Sequence, residues 1–561
     1  SSVALKDAAD YQLVGHNPPR LDTPIKINGS ARLGMDTSLP NMLFAAVVHS
    51  PVAGTEVADF DANGAADMPG VHSIIKAGKP GAEQAVAVVA EDSWQALQAA
   101  QNISVTAAPA SSELVNSAML SNRLKTLLDG PAPVVFRDTV AEASDADAAD
   151  NSSDDSVSGF DAIMTSAASN AITTADYDLP FLTHACMEPM NCTAFYSGDA
   201  LEVWAPTQAN SVARDIAAKL SGLDNSQVTL HSTLIGGGFG RRADMDFVEQ
   251  AVSVAVQVPG RPIKLFWSRE QDIRHDSFRP AAACRMTGIL DDERKIVALD
   301  YRLATQSVVA SYETRTPTPR GGDSSTDSTV ATTVNPPIYP VENLRVGYVP
   351  VELHVPAGYW RSVSHSWNGF FLESFIDEPA VAAKLTPLEF RRQALATRPR
   401  HLRVLDTLIE KMGDPTGDGI GYAVIESHTT IVAHAVEVAT VDNTFNKVTR
   451  VTCAIDCGPV VHPDNVVAQM EGSIVDGLSA ALYGQIDIDA GIARQGNFDT
   501  YRRMRMADCP AIDVHLIDSD QARPGGVGEP GVPGVAAALT NAIFAATGKR
   551  IRSLPVMRDA D

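Results

Sequence analysis

The chain has 561 residues, 45% hydrophobic and 20% charged, with a formal net charge of −24. That acidic balance excludes nucleic acid as a partner, since phosphate binding needs clustered Lys and Arg, and it disfavours docking on an anionic lipid surface by charge alone. The length suits roughly three or four domains at about 150 residues each, and six cysteines are too few for a disulfide scaffold. No run of about 18 apolar residues suggests a membrane span. The opening "SSVALKDAADYQLVGHNPPR" lacks an initiator Met and has neither the basic nor the apolar region of a signal peptide. A processed or incomplete chain is therefore expected.

In chain order, "NPPRLDTPIKINGSARLGMD" is loop-rich, and "NMLFAAVVHSP" and "EQAVAVVAED" read as strands. "SWQALQAAQN" reads as a short helix with Ser93 as its N-cap. Residues 1–125 are expected to form a compact α+β domain. The acidic run 141–159, "AEASDADAADNSSDDSVSG", cannot bury apolar surface and predicts a solvated linker within 126–165. "ALEVWAP" and "SQVTLHSTLIGGGFG" follow as strands. "NSVARDIAAKLSG" predicts a helix capped by Asn210 or Ser211 and stopped at Gly222. "DMDFVEQAVSVAVQVPG" is a helix, "RPIKLFWSRE" a strand, and 313–340 a long polar loop. Cys453 and Cys457 sit in "KVTRVTCAIDC". On a strand, residues four apart lie about 13 Å apart, so core packing is favoured over zinc binding with His462.

Three stretches carry candidate chemistry. "LIGGGFGRRAD" places four glycines in five residues after a strand, with Arg241 and Arg242 behind them. Such backbone turns sharply and can present N–H groups to an anion. "PAGYWRSVSHSWNGFFLESFIDE" places Gly358 and Arg361 in a loop before a helix with an apolar face, and Arg361 is a candidate for gripping an oxyanion. "GGVGEPG" satisfies G-x-G-x-x-G from Gly526 to Gly531. It is nevertheless a poor dinucleotide cradle. The strand "AIDVHLID" ends about six residues too early for a Rossmann turn, and Glu529 would bring a negative charge to the pyrophosphate. A glycine loop that presents one carboxylate into a pocket suits a general base instead. No G-x-S-x-G, H-E-x-x-H, Walker loop, ferredoxin cysteine set or C-x-x-C-H occurs.

Taken in order, "PFLTHACMEPMNCTA", "VWAPTQ", "LIGGGFGRRADMDFVEQAV", "GYWRSVSHSWNGFFLESFIDE", "AIDCGPVVHPDNVVAQMEGSIVDGLSAALYG" and "GVGEPGVPGVAAALTNAI" resemble the large molybdenum-binding subunits of the xanthine dehydrogenase and aldehyde oxidase family. The resemblance is strongest to isoquinoline oxidoreductase β subunits and membrane-bound bacterial aldehyde dehydrogenases. It implies an α+β fold: a hammerhead-type domain (1–125), the linker (126–165), and two elongated molybdopterin-binding domains (166–320 and 321–561). It implies Glu529 as the catalytic base beside the molybdenum and Gln208 as a hydrogen-bond donor to a molybdenum oxo ligand. Gly237, Gly238, Phe239, Gly240, Arg241, Arg361, Gln469, Gly526 and Gly528 are then expected around the cofactor. The metal is held by the pterin dithiolene, so no protein ligand to it is expected.

The implied reaction is oxidation of an aldehyde to a carboxylic acid with oxygen from water. The runner-up is hydroxylation of an N-heteroaromatic carbon next to nitrogen. Phe181, Trp360 and Trp367 are candidates for the pocket rim, with core packing the favoured reading for each. A non-catalytic scaffold is the reading from another class, and the retained Glu529 argues against it. The implied cofactor is molybdopterin cytosine dinucleotide. The implied partners are a small subunit with [2Fe–2S] clusters and a cytochrome c subunit, at the periplasmic face of the inner membrane. The family's Q-x-G-Q-G pterin-binding segment is not found in this sequence, so a separate chain or a missing segment is expected to supply it.

Overall fold

The computed structural model describes residues 6–7, 10–140, 159–316 and 327–557. The acidic run 141–158 and the middle of the polar loop, 317–326, lie outside the described residues.

A seven-stranded sheet has the order Val228–Ser232, Leu201–Ala205, Asn191–Tyr196, Ile263–Phe266, Leu43–His49, Ala82–Ala90, Val71–Lys79. Leu43–His49 is a near-continuous apolar run buried on both faces, which calls for a neighbour on each side and cover above and below. It pairs parallel to Ile263–Phe266 and antiparallel to Ala82–Ala90. The sheet therefore crosses the expected boundary at 125: the N-terminal strands close a core with elements about two hundred residues later. Helices Asn210–Ser221 and Asp246–Gln257 cover one face through Ala213, Ala217, Phe247 and Ala251. Helix Ser93–Ala100 covers the other through Ala96 and Ala99.

A five-stranded sheet runs Val134–Asp138, Asn343–Pro350, Ile296–Thr305, Ala282–Leu290, Ile172–Leu179. Its first strand lies inside the segment expected as linker, because Val134 and Phe136 of "VVFRD" have an apolar core to pack against. This sheet also crosses the expected boundary at 320. A four-stranded sheet runs Gly419–Ser427, Thr430–Val441, Thr444–Asp456, Ala511–Leu516. Helices His365–Ala382 and Val535–Thr547 are buried with both sheets in the largest core. The first was expected to have one apolar face, yet it is buried almost all round, as a helix between two layers must be. Its internal Glu373 is buried but satisfied by Arg391, by the Tyr339 hydroxyl (2.6 Å) and by the Val424 N–H (3.0 Å).

Two caps differ from expectation. Asp92, not Ser93, caps the helix Ser93–Ala100, its carboxylate accepting from the Gln95 N–H. Helix Asn210–Ser221 starts at Ala209 with no side-chain cap, and it ends on Gly222 in the left-handed region as expected. Cys453 and Cys457 are both buried, and burial pushes the Cys453 thiol up to about 12. Among the described residues no helix is long and apolar enough to cross a membrane.

Candidate active site

The glycine run after strand Val228–Ser232 is held from behind. The Gly236 N–H donates to Glu188 Oε2 (2.8 Å), and Arg242 donates to the Gly237 carbonyl (2.8 Å) and the Glu188 carbonyl (2.7 Å). Gln208 Oε1 accepts from the Gly240 N–H at 3.1 Å, which leaves the Gln208 amide nitrogen without a partner among the described residues. Gly237, Phe239 and Gly240 all have positive φ (99°, 54° and 109°). For Phe239 this is an uncommon backbone state, and it pushes the ring outward, 39% exposed beside an exposed Ile235.

Arg241 was expected at the cofactor, and the structure directs its side chain elsewhere. The guanidinium is buried, forks onto Asp246 (3.0 and 2.7 Å), lies 3.0 Å from Asp276 and sits 5.2 Å from the Trp267 ring centre. A buried cation needs that many partners to offset its lost hydration, so it braces the loop from inside and does not face the cleft.

The second wall is the Gly525–Gly531 loop, which leads into helix Val535–Thr547. It is clipped to the tip of the Gly419–Ser427/Thr430–Val441 hairpin: the Gly526 N–H donates to the His428 carbonyl (2.9 Å), and the Thr430 hydroxyl donates to the Gly526 carbonyl (2.7 Å). The Ser362 hydroxyl donates to the Glu529 carbonyl (2.7 Å). These clips fix the backbone on both sides of Glu529. Its carboxylate is 40% exposed, accepts from the Ser362 N–H at Oε2 (3.2 Å) and lies 3.3 Å from His428 Nε2. A Cβ added at Gly528 would meet nothing within 4 Å.

Arg361 ties the two walls together. It donates to the Gly528 carbonyl (2.8 Å), Asp476 (2.9 Å) and Gln469 Oε1 (3.1 Å), and its guanidinium lies 6.0 Å from the Phe239 ring centre. Glu529, Gly528, Gly526, Gln469, Arg361, Phe239, Gly240 and Gln208 are thus gathered around one cleft from five separate chain segments. A lysine at 361 keeps the charge but cannot serve three partners with one planar fork. Arg361→Lys is expected to weaken cofactor retention by about tenfold, the equivalent of one to two hydrogen bonds. Molybdenum per mole of purified protein is the readout.

All three aromatic rim candidates are buried. Trp367 is buried in the largest core, and Trp360 is buried against Leu182 and Val532, beneath the Glu529 loop. Phe181 is buried against Phe278 and borders a cavity of about 740 Å³ with Asp178, Tyr483 and Arg502. Glu529, Arg361, Gln469 and Phe239 are not among the residues that line that cavity. Burial of these large rings is what the core reading expects. Sequence reading missed His428, Ser362 and Asp476, whose positions come from non-local packing.

The cleft fits a molybdopterin. Amides at Gln208 and Gln469 and the Arg361 guanidinium suit a planar, hydrogen-bonding group with anionic parts. The bare Cα of Gly528 leaves room for close approach, and the exposed, strained Phe239 gives an apolar wall that water alone would not favour.

Comparison with known proteins agrees. Residues 147–395 match a molybdopterin cofactor-binding domain, and residues 410–510 match a second molybdopterin cofactor-binding domain. The chain belongs to the xanthine oxidase family of molybdopterin-binding, molybdenum-dependent oxidoreductases. Within that family it is similar to the isoquinoline 1-oxidoreductase subunit beta of Brevundimonas diminuta, 30% identical over 99% of this chain and 69% of the relative. It is also similar to the membrane-bound aldehyde dehydrogenase [pyrroloquinoline-quinone] of Gluconacetobacter polyoxogenes, 29% identical over 100% of this chain and 74% of the relative. The fold matches quinoline 2-oxidoreductase from Pseudomonas putida 86 with a TM-score of 0.79, at 15% identity over 97% of both chains.

Proposed function

We propose that this chain is the catalytic subunit of a molybdenum hydroxylase that oxidises an aldehyde to a carboxylic acid with oxygen from water, and that Glu529 is its general base. One observation carries the reading: the Ser362 N–H donates to Oε2 of Glu529 and His428 Nε2 lies 3.3 Å from the same oxygen, while Oε1 has no partner among the described residues in a cleft bounded by Phe239 and Arg361. Bound in the cleft, the cofactor supplies oxygen transfer and accepts two electrons. Glu529 receives a proton at Oε1. The Ser362 N–H stops the carboxylate turning away, the free Gln208 amide donates across the cleft, and Arg361 with Gln469 orients the pterin. Per aldehyde, one water is consumed, one acid forms, and two protons and two electrons leave.

The similarity to the aldehyde dehydrogenase relative supports an aldehyde. That relative's membrane-bound name supports a membrane-associated complex, and electron transfer there to a small [2Fe–2S] subunit and a cytochrome c subunit at the periplasmic face of the inner membrane is part of the proposal. Molybdopterin cytosine dinucleotide is the proposed cofactor form, with the Q-x-G-Q-G segment supplied from outside this sequence. A second reading, hydroxylation of an N-heteroaromatic carbon next to nitrogen, has the support of the relative named for isoquinoline. The test is metal and nucleotide analysis of the purified native assembly, followed by turnover of acetaldehyde and isoquinoline with an artificial electron acceptor. Near-stoichiometric molybdenum, released cytosine nucleotide and a higher kcat/KM for acetaldehyde are expected. An assembly without molybdenum defeats the hydroxylase reading, and a preference for isoquinoline moves the substrate to the second reading.

A further inference from the structure

We propose that His428 is a positioning residue for the base: its Nε2–H holds Oε2 of Glu529 and so selects Oε1 as the oxygen that takes the proton. The inference rests on the reading of Glu529 as the base.

An ionised carboxylate only accepts hydrogen bonds. At 3.3 Å from Oε2, His428 Nε2 can therefore hold that oxygen only as the nitrogen that carries hydrogen. The contact is long and the ring N–H is not yet aligned with Oε2, as catalytic hydrogen bonds often are before the reacting groups are in place. The Ser362 N–H reaches the same oxygen from the opposite chain segment. Two donors on one oxygen remove the carboxylate's freedom to exchange its two atoms by rotation.

The backbone points the same way. His428 and Thr429 are the two central residues of the hairpin between Ser427 and Thr430, with φ of 52° and 63°. Two-residue hairpin turns of this left-handed kind favour Asn-Gly, and a β-branched Thr there is a backbone outlier. Strain of this sort persists where the surrounding structure holds it. Most of the holding contacts here run to the Glu529 loop: the His428 carbonyl accepts the Gly526 N–H, Thr430 donates to the Gly526 carbonyl, and a Cβ at Gly525 would lie 2.4 Å from the Thr430 hydroxyl. Arg400 adds a bond to the Thr429 carbonyl (3.2 Å) from helix Pro399–Met412.

Two titratable groups face the ring. One is Glu529 from the glycine loop. The other is His365 from the buried helix, 5.4 Å away between ring centres. Burial, and then His428 itself, pull His365 down to about 4, so it stays neutral and bonds the Thr333 hydroxyl at 2.6 Å. His365 therefore backs the imidazole without competing for Glu529.

Two substitutions in the complete, molybdenum-loaded assembly separate position from architecture. His428→Asn suits the left-handed turn but is too short to reach Oε2, and His428→Gln carries an N–H about as far as the imidazole does. His428→Asn is expected to lower kcat about tenfold, within the range of a lost orienting contact in acid–base catalysis, with KM and molybdenum content unchanged. His428→Gln is expected to recover most of that loss. The proposal is overturned if His428→Asn turns over at the parent rate, or if both variants fall equally. Glu529→Gln is measured alongside: if it retains turnover the base reading itself fails, whereas an inactive Glu529→Gln with a fully active His428→Asn removes only the role of His428.

Discussion

Glu529→Gln is expected to lower kcat by about 10²–10⁴-fold, the usual contribution of a positioned general base, while molybdenum content, KM and melting temperature stay near those of the parent. Glutamine has the shape of glutamate, and its amide oxygen still accepts from the Ser362 N–H that now reaches Oε2 at 3.2 Å. The side chain is 40% exposed, so the change buries no new polar group and leaves the surrounding packing untouched. Only the ability to take a proton is lost. Cofactor retention depends on other atoms, chiefly the Arg361 fork to Asp476 and Gln469. Metal analysis and steady-state kinetics on the same preparation check this. Turnover above a tenth of the parent rate, with molybdenum retained, would show that Glu529 is not the base.

What the sequence disclosed about this site follows a physical pattern. Glu529 was legible because a carboxylate flanked by glycines contradicts the phosphate-cradle motif it otherwise spells, and a contradiction in local chemistry can be read locally. The partners of the Arg241 side chain were not legible, for the converse reason. Beside "GGGFG" it looks like a charge aimed at an anion, but its partners include Asp276, thirty-five residues on, and only the folded chain shows that pair. His428 lies about a hundred residues before Glu529. Its one local signal was weak: "SHTT" interrupts two apolar strands with no glycine to make the turn. The strands themselves were recognisable from their composition. Their partners were not, since the near-continuous apolar run of Leu43–His49 announces a central strand without naming Ile263–Phe266 as its neighbour. Helix caps erred by one residue because Asp92 and Ser93 are both good capping types and only the backbone geometry decides between them.

Gly240→Ala is expected to cost about 3 kcal/mol or more of stability, at the severe end for a single substitution, and to strip the cofactor. Gly240 has φ 109°, and an added Cβ would lie 1.5 Å from the Tyr359 carbonyl oxygen. That oxygen cannot simply retreat. It bonds His184 Nε2 at 2.8 Å, and His184 is in turn 3.0 Å from Asp276, the carboxylate that also meets Arg241. Relief must come from the loop, which moves Phe239 on one side of the cleft, or from the chain at Tyr359, which moves Arg361 on the other. Either displacement opens the junction that holds the pterin, so molybdenum content should fall more than the loss of stability alone accounts for. Gly528→Ala is the discriminating comparison. Its Cβ meets no protein atom within 4 Å, so urea denaturation of the protein without cofactor should match the parent. A methyl group there would meet whatever the cleft binds, and molybdenum content should drop even so. Loss of metal in both variants, with loss of stability only in Gly240→Ala, is the outcome that separates a glycine required by the protein's own packing from one required by its cofactor.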